Sequence, residues 1–421
     1  MINSNEIIKQ LPEMLSGQEL TSKMNMLPEY DKNIQEHGSI AERLIKLSDL
    51  YNIYIPSQMS IEIYNKLYLG ILRSLQKKGE KLTVRQYNST YKTIQNIRNK
   101  IENQSYNGIM GGADSFTIIG TSGIGKSSTI SRALNLIGAN HVIEINDPYT
   151  KILPCLTVQC PFDSSVKGML IEILRKVDEQ LGTTYFKCVA TGNRTTTDML
   201  IGSVSQICLN HIGLLVVDEI QNVVNSKNGK SLVGSLTQII NNSGISICMV
   251  GTPESERFFE QAMQLARRSV GLKYEELVYD NDFKNMCNIL FSYQYTKKYT
   301  EISDQIIELL YQYSSGNISV IISLIHDAQE ISLINGREIL DMMSLEEAYK
   351  KRLSMLYNYI KPELKKQYTK HNKNIFQKNN TSQKENGINN SGIIKNIVLN
   401  SKKENINIIE ELSKYINVEV I

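Results

Sequence analysis

Ser115-Phe116-Thr117-Ile118-Ile119-Gly120-Thr121-Ser122-Gly123-Ile124-Gly125-Lys126-Ser127-Ser128 decides the reading of this 421-residue chain. The first six residues are an apolar, β-branched run of the kind that forms a buried parallel strand. Gly120 to Ser127 then fits G-x-x-x-x-G-K-[ST], and residues 127–137 read as helix. The loop thus falls at a strand-to-helix turn, where glycines let backbone N–H groups face inward and the helix N-terminus adds positive potential. Such a turn cradles phosphates. The nucleotide-binding residues expected are Gly120, Thr121, Ser122, Gly123, Ile124, Gly125, Lys126, Ser127 and Ser128, with ATP as ligand. Lys126 is placed to reach the β and γ phosphates and Ser127 to ligate Mg²⁺.

A second stretch, Leu214-Leu215-Val216-Val217-Asp218-Glu219, ends an apolar strand in two carboxylates. Acidic residues also cap strands at surfaces without any chemistry, but beside a phosphate loop they have a purpose. Asp218 is expected to hold Mg²⁺, largely through water, and Glu219 to orient and deprotonate the attacking water. Ile247 to Glu254 (ICMVGTPE) reads as a further strand, ending at Thr252, whose hydroxyl can bond that water or the γ-phosphate. A plain turn residue is the alternative for Thr252.

Between these motifs strands and helices alternate, which requires crossover helices and a mostly parallel sheet. The expected fold is α/β, a P-loop core with an N-terminal accessory domain and a small helical lid. Residues 1–85 form the accessory, partner-binding region; within it 61–78 reads as a helix with Ile61, Tyr64, Leu67, Leu69, Ile71, Leu72 and Leu75 largely on one face. A helix from about 86 leads into the nucleotide-binding core (86–299). The pattern becomes purely helical over 300–360, with Gly316 as a stop between two helices. The remainder, 361–421, is a flexible Asn- and Lys-rich tail whose end regains an apolar stripe suited to docking.

Composition excludes some classes. Six cysteines without a C-x-x-C pair or zinc-finger spacing indicate neither a metal site nor a disulfide framework, and a reducing cytoplasm fits best. The start has no charged segment followed by an apolar one, and no run approaches the ~18 apolar residues of a membrane span. No export and no membrane partner are therefore expected. A net charge of +3 leaves the partner open, because binding depends on where charge clusters.

Two stretches together, LLVVDEIQNVVNSKNGKS and ICMVGTPESERFFEQAMQLARRSVG, resemble the TnsC family, AAA+ ATPases that regulate target choice in bacterial cut-and-paste transposons. Related TniB-type transposition ATPases share part of the pattern. The similarity spans roughly 85–350, with a weaker echo in IYIPSQMS (53–60). It implies an ATP-hydrolysing head-to-tail oligomer or filament on double-stranded DNA, standing between a target-selecting protein and the transposase and dismantled by hydrolysis. It also implies that Arg267 or Arg268 completes a neighbour's site. Where many AAA+ lids carry a sensor arginine, Ser315-Gly316-Asn317-Ile318-Ser319-Val320 has Ser319, which argues for a slow, switch-like ATPase. Polar helix starts and a basic loop offer cations and hydroxyls to phosphates at Lys167, Arg194, Thr196, Lys227 and Lys230; solvated surface loops would look the same. The competing readings are a replication-initiator or helicase-loading ATPase and a non-hydrolysing nucleotide-gated scaffold.

Overall fold

In the central strand β4 (Ile212–Asp218), Leu215 and Val217 enter one core while Leu214 and Val216 enter another. A strand buried on both faces must lie inside a covered sheet, since successive side chains point to opposite sides. The computed structural model describes residues 7–76, 78, 115–146, 149–190, 196–224, 226–256 and 270–354. Its sheet has the order β2-β3-β4-β5-β1-β6. Here β1 is Phe116–Gly120, β2 Ile143–Asn146, β3 Tyr149–Gln159, β5 Ser246–Gly251 and β6 Val270–Tyr274. All neighbours are parallel except β2 on β3.

The strands expected at 115–120, 152–160, 213–220 and 245–252 are β1, β3, β4 and β5. β2 and β6 were not expected. β2 is a four-residue edge strand, and β6 carries Gly271, where an added Cβ would lie 2.9 Å from Thr117 Oγ1. A glycine serving close strand approach gives no hydrophobic signal.

One face of the sheet is covered by the helices Val166–Leu181, Thr197–His211 and Gly229–Ser243, whose apolar residues share a core with Leu215 and Val217. The other face is covered by the helix Lys126–Leu136 and by a helix over 58–76. Along 58–76, Tyr64, Leu67, Ile71 and Leu75 are buried as the stripe anticipates, but Leu69 is 38% exposed and Ile63 and Tyr68 are buried. The buried stripe is rotated relative to that reading, and it shares a core with Phe116 and Ile118 of β1.

The helices Asn281–Ser292, Asp304–Ser314, Ile318–Ile334 and Met342–Ala348 build a third core together with Leu47, Leu50 and Ile53. Arg43, with a side chain 2% exposed, donates to Glu338 through Nη1 and Nη2 at 2.6 and 2.7 Å. That pair ties the early chain to the lid, and the bond from Arg43 holds the Glu338 carboxyl below its ordinary range. Gly316, at φ +82°, separates the lid helices as expected; a Cβ there would sit 1.9 Å from the Leu277 carbonyl oxygen, so no other residue fits.

Candidate functional site

Parallel pairing brings the carboxyl ends of β1, β4 and β5 together: Ile119 stands opposite Gly251, and Val217 opposite Met249. Ligand sites of open α/β sheets lie at such ends. The loop after β1 needs two left-handed residues, Gly123 at φ +85° and Gly125 at φ +93°, before the helix starts at Lys126. Ile124 is buried beneath the loop at 3% exposure, so it packs instead of lining the cavity.

Lys126 Nζ donates to the Gly120 carbonyl at 2.6 Å and to the Thr121 carbonyl at 2.8 Å. Burial pushes its pKa down, while Asp218, Glu219 and Glu276 oppose that shift. Among the described residues no anion is bonded to this cation, which is held on two neutral carbonyls, and a phosphate can take that place. Ser127 Oγ donates to Asp218 Oδ2 at 2.9 Å. A hydroxyl and a carboxylate meeting at this distance form a hard-oxygen pair of the kind that suits Mg²⁺.

Glu219 follows in a left-handed conformation, φ +58° and ψ +35°, which for a non-glycine residue costs on the order of 1 kcal/mol. Its N–H bonds Asp218 Oδ1 at 2.8 Å, which helps fix the kink. Gln221 Nε2 donates to Glu219 Oε2.

The lid closes over the loop through neutral contacts. Asn317 Nδ2 donates to the Ser122 carbonyl at 2.8 Å, and the Ser319 N–H donates to the Gly123 carbonyl at 3.0 Å. A Cβ on Gly123 would meet Asn317 Oδ1 at 2.5 Å, so glycine serves the approach as well as the turn. The result is a cavity of about 320 Å³ whose lining includes Gly123, Gly125, Lys126, Ser127, Ser128, Asp218, Glu219 and Thr252.

Ser122 lines the cavity too, whereas Gly120 and Thr121 serve it through the carbonyls that hold Lys126. Sequence reasoning assigned nothing to Tyr51, Gln221, Ile318 or Ile322, which also line it. Gln221 stands within the quoted DEIQ, and Asn317 carried a readable N-cap signal ahead of an apolar helix. Tyr51 gave none, because it reaches the cavity from far upstream.

Lys167, Thr196, Lys227 and Lys230 are exposed, outside the cavity. Lys167 lies in the first turn of Val166–Leu181, Lys230 in that of Gly229–Ser243, and Thr196 caps Thr197–His211 through Met199 N at 3.3 Å. Two of these helix starts are linked, since Ser226 Oγ and Asn228 Nδ2 both donate to the Asp163 carbonyl, at 2.8 and 3.2 Å. Arg194, Arg267, Arg268, the helix from about 86 and the tail 361–421 lie outside the described residues. Among the described residues no helix is long and apolar enough to cross a membrane.

Residues 109–259 match the AAA domain family (AAA_22). With the P-loop, the mostly parallel sheet and the helical lid, the fold is that of an AAA+ P-loop ATPase. Three solved structures similar to this chain are the Aeropyrum pernix Orc1 protein in complex with DNA, Drosophila ORC bound to DNA, and AMPPCP-bound DnaA from Aquifex aeolicus. Orc1 is 14% identical at a TM-score of 0.41, over 57% of this chain and 60% of that one. The Drosophila chain is 12% identical at 0.45, over 82% and 71%. DnaA is 13% identical at 0.32, over 59% and 64%. No curated protein sequence matches the chain.

Proposed function

We propose that this chain is an ATP-hydrolysing regulator of DNA transposition, which assembles head to tail on duplex DNA with ATP, links a target-selecting protein to transposase, and disassembles on hydrolysis. The observation that carries the ATPase part is the convergence of Lys126, Ser127, Asp218 and Glu219 in one cavity under the lid. The transposition part is supported by the resemblance of the Asp218 and Thr252 stretches to TnsC-type ATPases.

Lys126 exchanges its two carbonyl partners for the β and γ phosphates. Ser127 and Asp218 would hold Mg²⁺, which supplies charge neutralisation on those phosphates when bound. Glu219 takes the proton of the attacking water, and Thr252 bonds that water or the γ-phosphate. Tyr51, Ile318 and Ile322 offer the apolar part of the cavity to the nucleoside. An arginine at 267 or 268 from a neighbouring subunit completes the site. The absence of a basic side chain at Ser319 supports slow turnover.

The test is binding to two unrelated duplexes at several salt concentrations, with and without a slowly hydrolysed ATP analogue. Nucleotide-dependent binding with little sequence preference and a steep fall in affinity with salt is expected, because phosphate contacts release counterions. Replacing Lys167, Lys227 or Lys230 singly should reduce the salt slope by about 1 wherever that side chain neutralises a phosphate. Binding independent of nucleotide, or no binding in any nucleotide state, removes the transposition reading and favours the initiator or scaffold readings.

A further inference from the structure

Gln221 sits on a 3-10 turn, Ile220–Val223, held by burial at both ends and by its neighbour Asn222. Ile220 is fully buried and Val223 is 1% exposed. Asn222 is clamped to the loop after β3, donating through Nδ2 to the Cys160 carbonyl at 2.9 Å and accepting from Ser164 Oγ at 3.1 Å through its own carbonyl. The backbone under Gln221 is therefore set by packing and by its neighbour, and only the side chain turns toward Glu219.

The two ends of that amide are treated differently. Nε2 donates to Glu219 Oε2, while Oε1 is buried with no hydrogen-bond partner among the described residues. Oε1 points toward Gly251, where an added Cβ would lie 3.1 Å away. An unpaired buried carbonyl is unfavourable, and an apolar side chain of the same shape would fill the place without that cost. A glutamine that served packing alone would be a poor choice. Among the described residues its amide has one partner, the Glu219 carboxylate.

We infer that Gln221 is the positioning residue of Glu219: it fixes one carboxylate oxygen and leaves the other to take the proton of the attacking water. A general base is commonly oriented by a third group in this way. The inference deepens the ATPase reading and rests on it. Glycine at 251 belongs to the same device, because a methyl there would press on the Ile220 side chain at 2.7 Å and on Gln221 Oε1.

The experiment compares Gln221→Met, near-isosteric but without a donor, with the unaltered chain, in the Glu219 and the Glu219→Asp backgrounds. Five readouts are followed: kcat, KM for ATP, equilibrium binding of a slowly hydrolysed ATP analogue, thermal midpoint and, in the chains that keep Gln221, its side-chain amide resonance. Gln221→Met should lower kcat about 10- to 100-fold, as a misplaced base does, with KM and analogue affinity within about two-fold. Its thermal midpoint should stay level or rise. In the Glu219→Asp background, where the shorter carboxylate no longer reaches the amide, Gln221→Met should cost nothing further. Without nucleotide, the Gln221 side-chain amide resonance should move when Glu219 becomes Asp. Normal kcat in Gln221→Met, an equal loss in both backgrounds, or an unmoved amide resonance overturns the inference. An unaltered chain that binds ATP but never turns it over removes the hydrolysis reading itself, and the positioning role with it.

Discussion

Asn317 joins two jobs that substitution can separate. Its Oδ1 caps the helix Ile318–Ile334 by accepting from Val320 N at 3.4 Å, and its Nδ2 latches the lid to the phosphate loop at the Ser122 carbonyl, 2.8 Å away. Losing an N-cap costs about 1 kcal/mol, and losing a typical net hydrogen bond costs about 1 kcal/mol more. At about 1.3 °C per kcal/mol for the unit spanning Met1–Lys361, Asn317→Ala should lower the thermal midpoint by about 2–3 °C. Only the latch touches the nucleotide cavity, so ATP affinity should fall about five-fold, the equivalent of ~1 kcal/mol. Asn317→Asp keeps the capping oxygen but turns a second oxygen toward the Ser122 carbonyl and adds negative charge beside the phosphates. Its midpoint should stay within about 2 °C of the unaltered protein while ATP affinity falls more than about five-fold. Thermal unfolding and equilibrium titration with an ATP analogue measure the two effects. Wild-type affinity in Asn317→Asp would refute the lid latch, and an unchanged midpoint in Asn317→Ala would refute the cap.

Lys126→Ala removes the main side-chain charge on the phosphates, so ATP binding and every ATP-dependent assembly should disappear together; ATP affinity retained in the variant would sink the phosphate-loop role. If Arg267 or Arg268 acts across an interface, an arginine-to-Ala variant mixed with Lys126→Ala should recover some turnover, since some junctions pair an intact loop with an intact arginine. No recovery in demonstrably mixed oligomers would mark the arginines as surface residues.

The strands β1, β3, β4 and β5 were legible because each is an apolar run beside a turn or a helix, buried on both faces. Their shared carboxyl edge followed from the parallel crossovers, and so did the meeting of the Lys126 loop with Asp218 and Glu219. Elements at the margin of the sheet escaped for a physical reason: β2 is too short and β6 too glycine-interrupted to carry a period. The helix over 58–76 could be read as amphipathic, but a stripe does not name the surface it will cover. The Gly123 contact with Asn317 was beyond reach for the same reason. A glycine in a phosphate loop is already explained by its turn, and its second duty appears only when the lid lies 2.5 Å from the missing Cβ.

The chemistry of the lid bears on how the nucleotide state is transmitted. A basic side chain at 319 would bring charge onto the γ-phosphate and make closure depend strongly on whether that phosphate is present. Here closure rests on the Asn317 amide and the Ser319 N–H, both donated to backbone carbonyls of the loop, which are present whatever the nucleotide. Such neutral bonds contribute about 1 kcal/mol each, a factor of about five in a closing equilibrium. They hold the lid without reading the γ-phosphate. Under the proposed function, discrimination between ATP and ADP then falls to the groups on the sheet edge, Lys126, Glu219 and Thr252, and to the arginine proposed to come from a neighbouring subunit. A site arranged this way should report its nucleotide mainly when a second copy is docked against it, so hydrolysis and assembly are expected to rise and fall together with protein concentration.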